Sequence, residues 1–184
     1  MGRFDDCMGF VLEHECEYSD DPDDPGGETC FGVSRRAWPE QADEIIKLHK
    51  SGRKDEARQR AIDFYRAEFW AKLRGEKLRP PLDLSLFDVA VNMGLERAVR
   101  LLQLECNRQL GSTLKLDGIL GPATLRTLGA TPATLAAVGL CGQRLKAYTK
   151  LSRPVRQANL AGWVSRTADL ILEIAAPTKN VVLP

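Results

Sequence analysis

The sequence predicts a mainly α chain with a short loop or β-hairpin after its first helix. Three observations predict it. Apolar residues recur at helical spacing through nearly all of the chain beyond residue 38. Helix-breaking Pro and Gly cluster between Ser19 and Ser34, in a stretch that is also dense in acids. Hydrophobic residues make up 43% of 184 residues, enough for one good-sized core or two small packed ones, yet no run approaches the ~18 apolar residues of a membrane span.

Taken in order, Phe4, Met8, Val11 and Glu15 repeat at i, i+4, i+7 and i+11, with Cys7 and Leu12 beside them. The first helix is therefore expected to carry Glu15 at the end of its apolar face. From Ser19 to Ser34, Pro22, Pro25, Gly26 and Gly27 exclude a regular helix and leave a loop or hairpin. "PEQADEIIKLHK" and "DEARQRAIDFYRAEFWAKL" follow as amphipathic helices, the second with Ile62, Tyr65, Phe69 and Leu73 on one face. Pro80-Pro81 closes that region. "LDLSLFDVAVNMG" reads as a central apolar helix and "LERAVRLLQLECNRQL" as another, while "KLDGILGPATLRTL" is a turn entering a helix. Two long helical patterns complete the fold, and "PTKNVVLP" reads as a tail. The expected divisions are residues 1–94, residues 95–176 packed onto them as one body, and the tail 177–184.

The near-neutral net charge of +1 hides an asymmetry. Residues 5–28 hold ten acids and no Lys or Arg, whereas residues 29–184 carry 25 bases against 15 acids. A basic body with one acidic segment suits an enzyme that meets an anionic polymer and reserves carboxylates for its chemistry. No nucleic-acid motif accompanies the charge, so no nucleic-acid partner is expected. Five cysteines without a CxxC pair read as reduced thiols and not as a disulfide framework. His14 and His49 lack ligand-spaced partners, and counting twelve positions from Asp20 or Asp21 reaches Phe31 or Gly32 where a calcium loop needs Glu. Neither metal nor cofactor is expected, and no His stands near Cys30 in sequence to serve thiol catalysis. Asp5, Asp6 and Glu13 stand where a secretion signal needs basic and then apolar residues. The expectation is synthesis in the cytoplasm, release by a holin or an exporter, and action in the periplasm or outside. A monomer without membrane insertion is expected.

Between Leu12 and Ser34 lie eight acids: Glu13, Glu15, Glu17, Asp20, Asp21, Asp23, Asp24 and Glu28. Like charges so close destabilise a fold, so the cluster asks for a reason. One reading is a solvated capping loop. The other is glycosidic bond cleavage, which needs a carboxylic acid kept protonated by burial and acidic neighbours, and a second carboxylate as base, nucleophile or cation stabiliser. Glu15 is the candidate acid and Asp24, on the Pro25-Gly26-Gly27 turn, the candidate partner. Thr29 stands where it can orient a water or hydroxyl.

"HECEYSDDPDDPGGETCFGVS" resembles the motif of glycoside hydrolase family 108, the lysozyme-like N-acetylmuramidases: E-G-G-Y, then D-P-G-G-x-T-x-x-G-I/V-T/S. Glu15 falls on the family's catalytic glutamate and Tyr18 on its tyrosine; Asp24-Pro25-Gly26-Gly27, Thr29 and Gly32-Val33-Ser34 fall on the rest. The resemblance continues in "FYRAEFW", in "LFDVAVNMG" with Asp88 and Asn92, and in "GWVSR" with Trp163. It implies a lysozyme-like helical fold and hydrolysis of the β-1,4 bond between N-acetylmuramic acid and N-acetylglucosamine in peptidoglycan, as in a phage endolysin. The catalytic set is then Glu15, Asp24 and Thr29, and the substrate-binding set Tyr18, Phe31, Asn92 and Trp163. One departure stands out: the family's two glycines are Cys16 and Glu17 here.

"LLQLECNRQLGSTLKLDGILGPATLRTL" resembles the peptidoglycan-binding pattern L-Q, spacer, D-G-x-x-G-P-x-T that accompanies this family. Asp117-Gly118 and Gly121-Pro122 build its turn, and the same residues would serve equally as a turn that only packs helices. Trp38 and Trp70 suit either sugar stacking or core, with Trp70 expected in the core. A lytic transglycosylase using the same Glu, and a wall-binding or secretion-associated module without catalysis, remain the competing functions.

Overall fold

The computed structural model describes residues 2–21 and 27–176. They form eight α-helices and a small sheet, and contacts divide the chain into two compact units, Met1–Glu76 and Lys77–Pro184.

In the first unit, helix α1 (Arg3–Glu13) opens with Asp5 and Asp6, acids suited to the positive end of a helix dipole. It buries Phe4, Cys7, Met8 and Val11. No base occupies its last turn, so the helix itself offers no cation to the acids gathered at its negative end. The helix stops at Glu13, and Glu15 sits just past it, half-buried in a bend, its N–H reaching Leu12 O at 3.4 Å. The expectation of a helix-borne Glu15 is corrected: the apolar stripe runs on, but the helix does not.

Strands β1 (Tyr18–Ser19), β2 (Thr29–Cys30) and β3 (Val33–Ser34) follow as an antiparallel sheet in the order β1-β2-β3. Tyr18 pairs with Cys30 and Ser19 with Thr29, then Thr29 with Ser34 and Cys30 with Val33. The β2–β3 turn requires positive φ at Phe31 (47°) and Gly32 (78°). Helix α2 (Pro39–Lys50) has Pro at its first turn and Lys47, His49 and Lys50 in its last, and buries Ala42, Ile45 and Ile46. Helix α3 (Lys54–Tyr65) buries Ala57, Ala61, Phe64 and Tyr65. A π-helical turn, Arg66–Trp70, interrupts the single helix expected there. The wider turn places the adjacent Phe69 and Trp70 both in the core, while upstream in α3 Phe64 is buried and Ile62 half-buried. Trp70 meets Phe4 edge-on at 5.6 Å, and Trp38 meets Phe64 at 5.0 Å.

The second unit centres on α4 (Leu82–Met93), buried from Leu82 to Ala90. Helices α5 (Leu95–Leu110) and α7 (Ala133–Thr149) pack against α4 and each other, and α8 (Arg153–Ala175) packs on α7. Short α6 (Pro122–Ala130) lies beside α5. Three carbonyls at and just beyond the C-terminus of α6 (Leu128, Gly129 and Thr131) accept from Arg79 Nη2, the last at 2.6 Å. The buried Glu105 carboxylate accepts from Arg108, Gln109 and Gln143, and Arg108 in particular holds its pKa down to about 2. The tail "PTKNVVLP" lies outside the described residues, and no described helix is long and apolar enough to cross a membrane.

Candidate active site

Glu15 is placed by the end of α1 below it and the β2–β3 turn above it. Gly32 has no side chain, and Glu15 occupies the space one would fill. A Cβ on Gly32 would stand 2.6 Å from Glu15 Oε2 and 2.8 Å from its carboxyl carbon. The same point lies 2.5 Å from Tyr65 Oη, and that hydroxyl donates to Phe31 O at 3.1 Å. Three elements thus meet at one position: a carboxyl group from the end of α1, a phenol from α3, and backbone from the hairpin. Glu15 as a residue is half-buried, and its carboxyl is sheltered on the side of Gly32 and Tyr65.

The hairpin is held by a second group of charges. Glu28 is 8% exposed and accepts from Tyr18 Oη at 2.7 Å, Lys50 Nζ at 2.6 Å and Arg35 Nη1. Lys50, first, and the Tyr18 phenol, second, hold the Glu28 carboxyl below the usual range, and Glu28 in turn pushes the Tyr18 phenol up. The His49 ring stacks on Tyr18 at 5.1 Å, only 8° from parallel, and meets Phe31 edge-on at 6.3 Å. Glu17, which stands in place of a family glycine, is exposed and bonded to Lys54 Nζ at 2.9 Å and His49 Nε2 at 3.0 Å. Lys54 chiefly lowers its pKa. The charge added by Glu17 is therefore offset by Lys54 of α3, and its carboxylate ties α2 and α3 to the residue before β1. Cys16 turns its thiol to Tyr18 O at 3.2 Å, and burial pushes the Cys30 thiol up to about 11.

The expected site residues separate into groups. Glu15, Tyr18, Thr29 and Phe31 lie on or beside the hairpin of the first unit. Thr29 donates its hydroxyl proton to Gly27 O at 3.1 Å, which leaves the oxygen lone pairs to accept. Phe31 is 8% exposed. Asp24 lies outside the described residues. Asn92 and Trp163 belong to the second unit, where both contact Tyr148. Sequence reasoning missed Tyr65 as a neighbour of Glu15, because at helical spacing it read only as core. It also missed Glu28 as the buried anchor, because eight close acids cannot be ranked by spacing alone.

Comparison with known families decides what this hairpin belongs to: the profile described as glycosyl hydrolase 108 matches residues 8–94. Residues 8–94 belong to the glycosyl hydrolase 108 family. Residues 97–168 match a second profile, described as a predicted peptidoglycan domain. With its glycosyl hydrolase 108 region and its peptidoglycan region, the chain is a glycoside hydrolase that acts on peptidoglycan. Among solved structures it is similar to one described as the structure of Brucella abortus SagA, at 27% identity, a TM-score of 0.76 and 98% coverage of each chain. The fold is lysozyme-like. No curated protein matches the chain by sequence. The family boundary falls after Gly94, whereas compactness divides the chain after Glu76, because α4 carries glycosyl hydrolase 108 residues yet packs on α5 and α7.

The motif of the peptidoglycan region spends its polar atoms on itself. Gln103 Nε2 donates to Asp117 Oδ1 (2.9 Å) and Ile119 O (3.1 Å), and Gln103 Oε1 accepts from Gly118 N–H at 3.1 Å. Thr124 Oγ1 joins the same knot, 3.3 Å from Gln103 Nε2. Gly118 has φ +75°, and a Cβ there would meet Glu96 O at 2.8 Å.

Proposed function

We propose that the chain is an N-acetylmuramidase that cleaves the β-1,4 bond between N-acetylmuramic acid and N-acetylglucosamine, with Glu15 as general acid. The observation that carries this reading is the seating of the Glu15 carboxyl against Gly32, beside the Tyr65 hydroxyl, in the family's hairpin. A carboxyl sheltered on one side, on a residue only half-buried, suits proton delivery to a bound polymer.

Glu15 gives its proton to the bridging oxygen as the bond from the muramic acid C1 breaks. The N-acetylglucosamine product leaves with a hydroxyl, and C1 passes through an oxocarbenium-like state. Asp24 stabilises that cation or orients the water that attacks it, with Thr29 offering an acceptor to the same water. Water addition leaves a reducing N-acetylmuramic acid end and returns a proton to the site. Tyr18 and Phe31 present the hairpin to the sugar while Glu28 and His49 hold them in place.

The test is mass spectrometry of the soluble fragments released from purified peptidoglycan by the wild type and by Glu15→Gln. Reducing N-acetylmuramic acid ends that vanish in the variant are the expected result. Anhydro ends would make the enzyme a lytic transglycosylase. Absence of any fragment from folded wild type would refute catalysis and leave a wall-binding module.

A further inference from the structure

In the second unit a buried ionic network ends on two half-exposed groups, and its donor–acceptor chemistry fixes how one of them faces. Asp88 and Arg144 are fully buried and Arg166 nearly so. Asp88 accepts from Arg144 Nη1 at 2.6 Å on one oxygen and from Arg166 Nε at 2.8 Å on the other. Three buried charges are a poor way to stabilise α4, α7 and α8, since apolar side chains of similar volume do as well or better. The network therefore calls for another use.

A guanidinium donates and never accepts, so the Arg144 Nε contact makes Tyr148 Oη an acceptor. The phenol's own proton then goes to Asn92 Oδ1, 2.8 Å away. Burial raises the Tyr148 pKa and keeps that proton in place. Asn92 therefore turns its carbonyl inward, and among the described residues its amide N–H groups meet no protein acceptor. The Trp163 ring stacks on the same phenol at 4.9 Å and 19°. Thr167 Oγ1, 2.7 Å from Trp163 O, secures the backbone beneath it. Asn92 and Trp163 are both half-buried, and Gly162, next to Trp163 in sequence, is exposed.

We propose that Asn92 and Trp163, mounted together on Tyr148, form a saccharide subsite in the second unit that selects N-acetylated amino sugars. The Asn92 amide donates to the acetamido carbonyl, and the indole covers an apolar sugar face. Tyr148, Arg144 and Asp88 are positioning residues, acting through the orientation of Asn92. A deacetylated sugar presents an ammonium in place of the carbonyl; it offers no acceptor to the amide and meets the net positive charge of two guanidiniums on one carboxylate. The choice of sugar rests on the peptidoglycan reading above.

The test uses the full chain carrying Glu15→Gln, titrated calorimetrically with the tetramer of N-acetylglucosamine and with its deacetylated counterpart. The acetylated tetramer is expected to bind more tightly. Tyr148→Phe keeps the ring under Trp163 but removes the proton that orients Asn92. It should weaken the acetylated tetramer by about tenfold, the worth of one neutral hydrogen bond. Asn92→Ala should lose the same factor, and the double variant no more than either alone. Both should erase the preference for the acetylated tetramer, which a merely structural role would leave intact. Affinity and preference unchanged in Asn92→Ala would overturn the subsite, as would a variant Tyr148→Phe that loses only thermal stability. Tetramer discrimination without cleavage of peptidoglycan by the wild type would refute the muramidase and leave the subsite standing; cleavage with binding indifferent to Asn92 and Trp163→Ala would do the reverse.

Discussion

Adding one methyl group at Gly32 tests the site with the smallest available perturbation. The Cβ of Gly32→Ala would stand 2.6 Å from Glu15 Oε2 and 2.5 Å from Tyr65 Oη, where ordinary contact begins at 3.4 Å. Relief requires the carboxyl to retreat by roughly 0.8 Å, or the turn to move by a similar amount. A misplacement of about 1 Å costs on the order of 100-fold in rate where geometry controls catalysis. The left-handed backbone at φ +78° adds about 1–2 kcal/mol of strain, which lowers Tm by about 2–8 °C for a chain of this size. Gly52→Ala is the control: its φ is +83°, but nothing lies within 4 Å of its Cβ position, so it carries the strain without the collision. Release of reducing ends from peptidoglycan, measured beside thermal melts, separates the two effects. Both variants should melt early, and only Gly32→Ala should lose about two orders of magnitude in kcat. Activity of Gly32→Ala within threefold of Gly52→Ala would refute the placement of Glu15 against the hairpin as the basis of catalysis.

Two further outcomes follow from the second unit. The Glu105 pKa is lowered to about 2, chiefly by Arg108, so its ionised form stabilises the fold at pH values above the ordinary carboxylate pKa. That stability, at most about 3 kcal/mol because Arg108 is itself exposed, should be lost as pH falls from about 4.5 toward 2. Urea denaturation at pH 6 and pH 3 should show a smaller pH effect in Glu105→Gln than in the wild type; an equal effect would count against the assignment. Gln103→Ala should cost about 1–3 kcal/mol by removing the acceptor of the Gly118 N–H and the donor that Asp117, Ile119 O and Thr124 share, readable by the same denaturation. Sedimentation with cell wall at a temperature where the variant is fully folded should then show unchanged binding, because Gln103 acts on the turn and not on the glycan; weakened binding there would give the motif a direct role.

The helices were legible because their signal is local. Pro39–Lys50, Leu95–Leu110 and Arg153–Ala175 form where the apolar spacing and the Pro or Gly at their ends predict. The end of α1 was less legible, since periodicity carries no penalty for the acids accumulating beyond Glu13. The π turn at Arg66–Trp70 was invisible, because packing of Phe64, Phe69 and Trp70 decides it, and the sequence still reads as one unbroken amphipathic pattern. In the site, Glu15 was offered as the candidate acid through a motif whose spacing is fixed along the chain.

What the sequence determined by itself was therefore the helical class, a loop or hairpin after the first helix, and a candidate for the catalytic carboxyl group. The tertiary structure alone decided what surrounds that carboxyl. Tyr65 is fifty residues away along the chain, and Gly32 matters through the side chain it lacks. It also decided which acid is an anchor: Glu28 is distinguished from its neighbours only when Lys50, Arg35 and Tyr18 close around it. In the second unit, the same step turned Asp88 of α4 and Arg144 and Tyr148 of α7 into one frame for Asn92. Propensity and motif spacing are properties of neighbours in sequence, whereas burial, charge pairing and the direction of a shared proton exist only between neighbours in space.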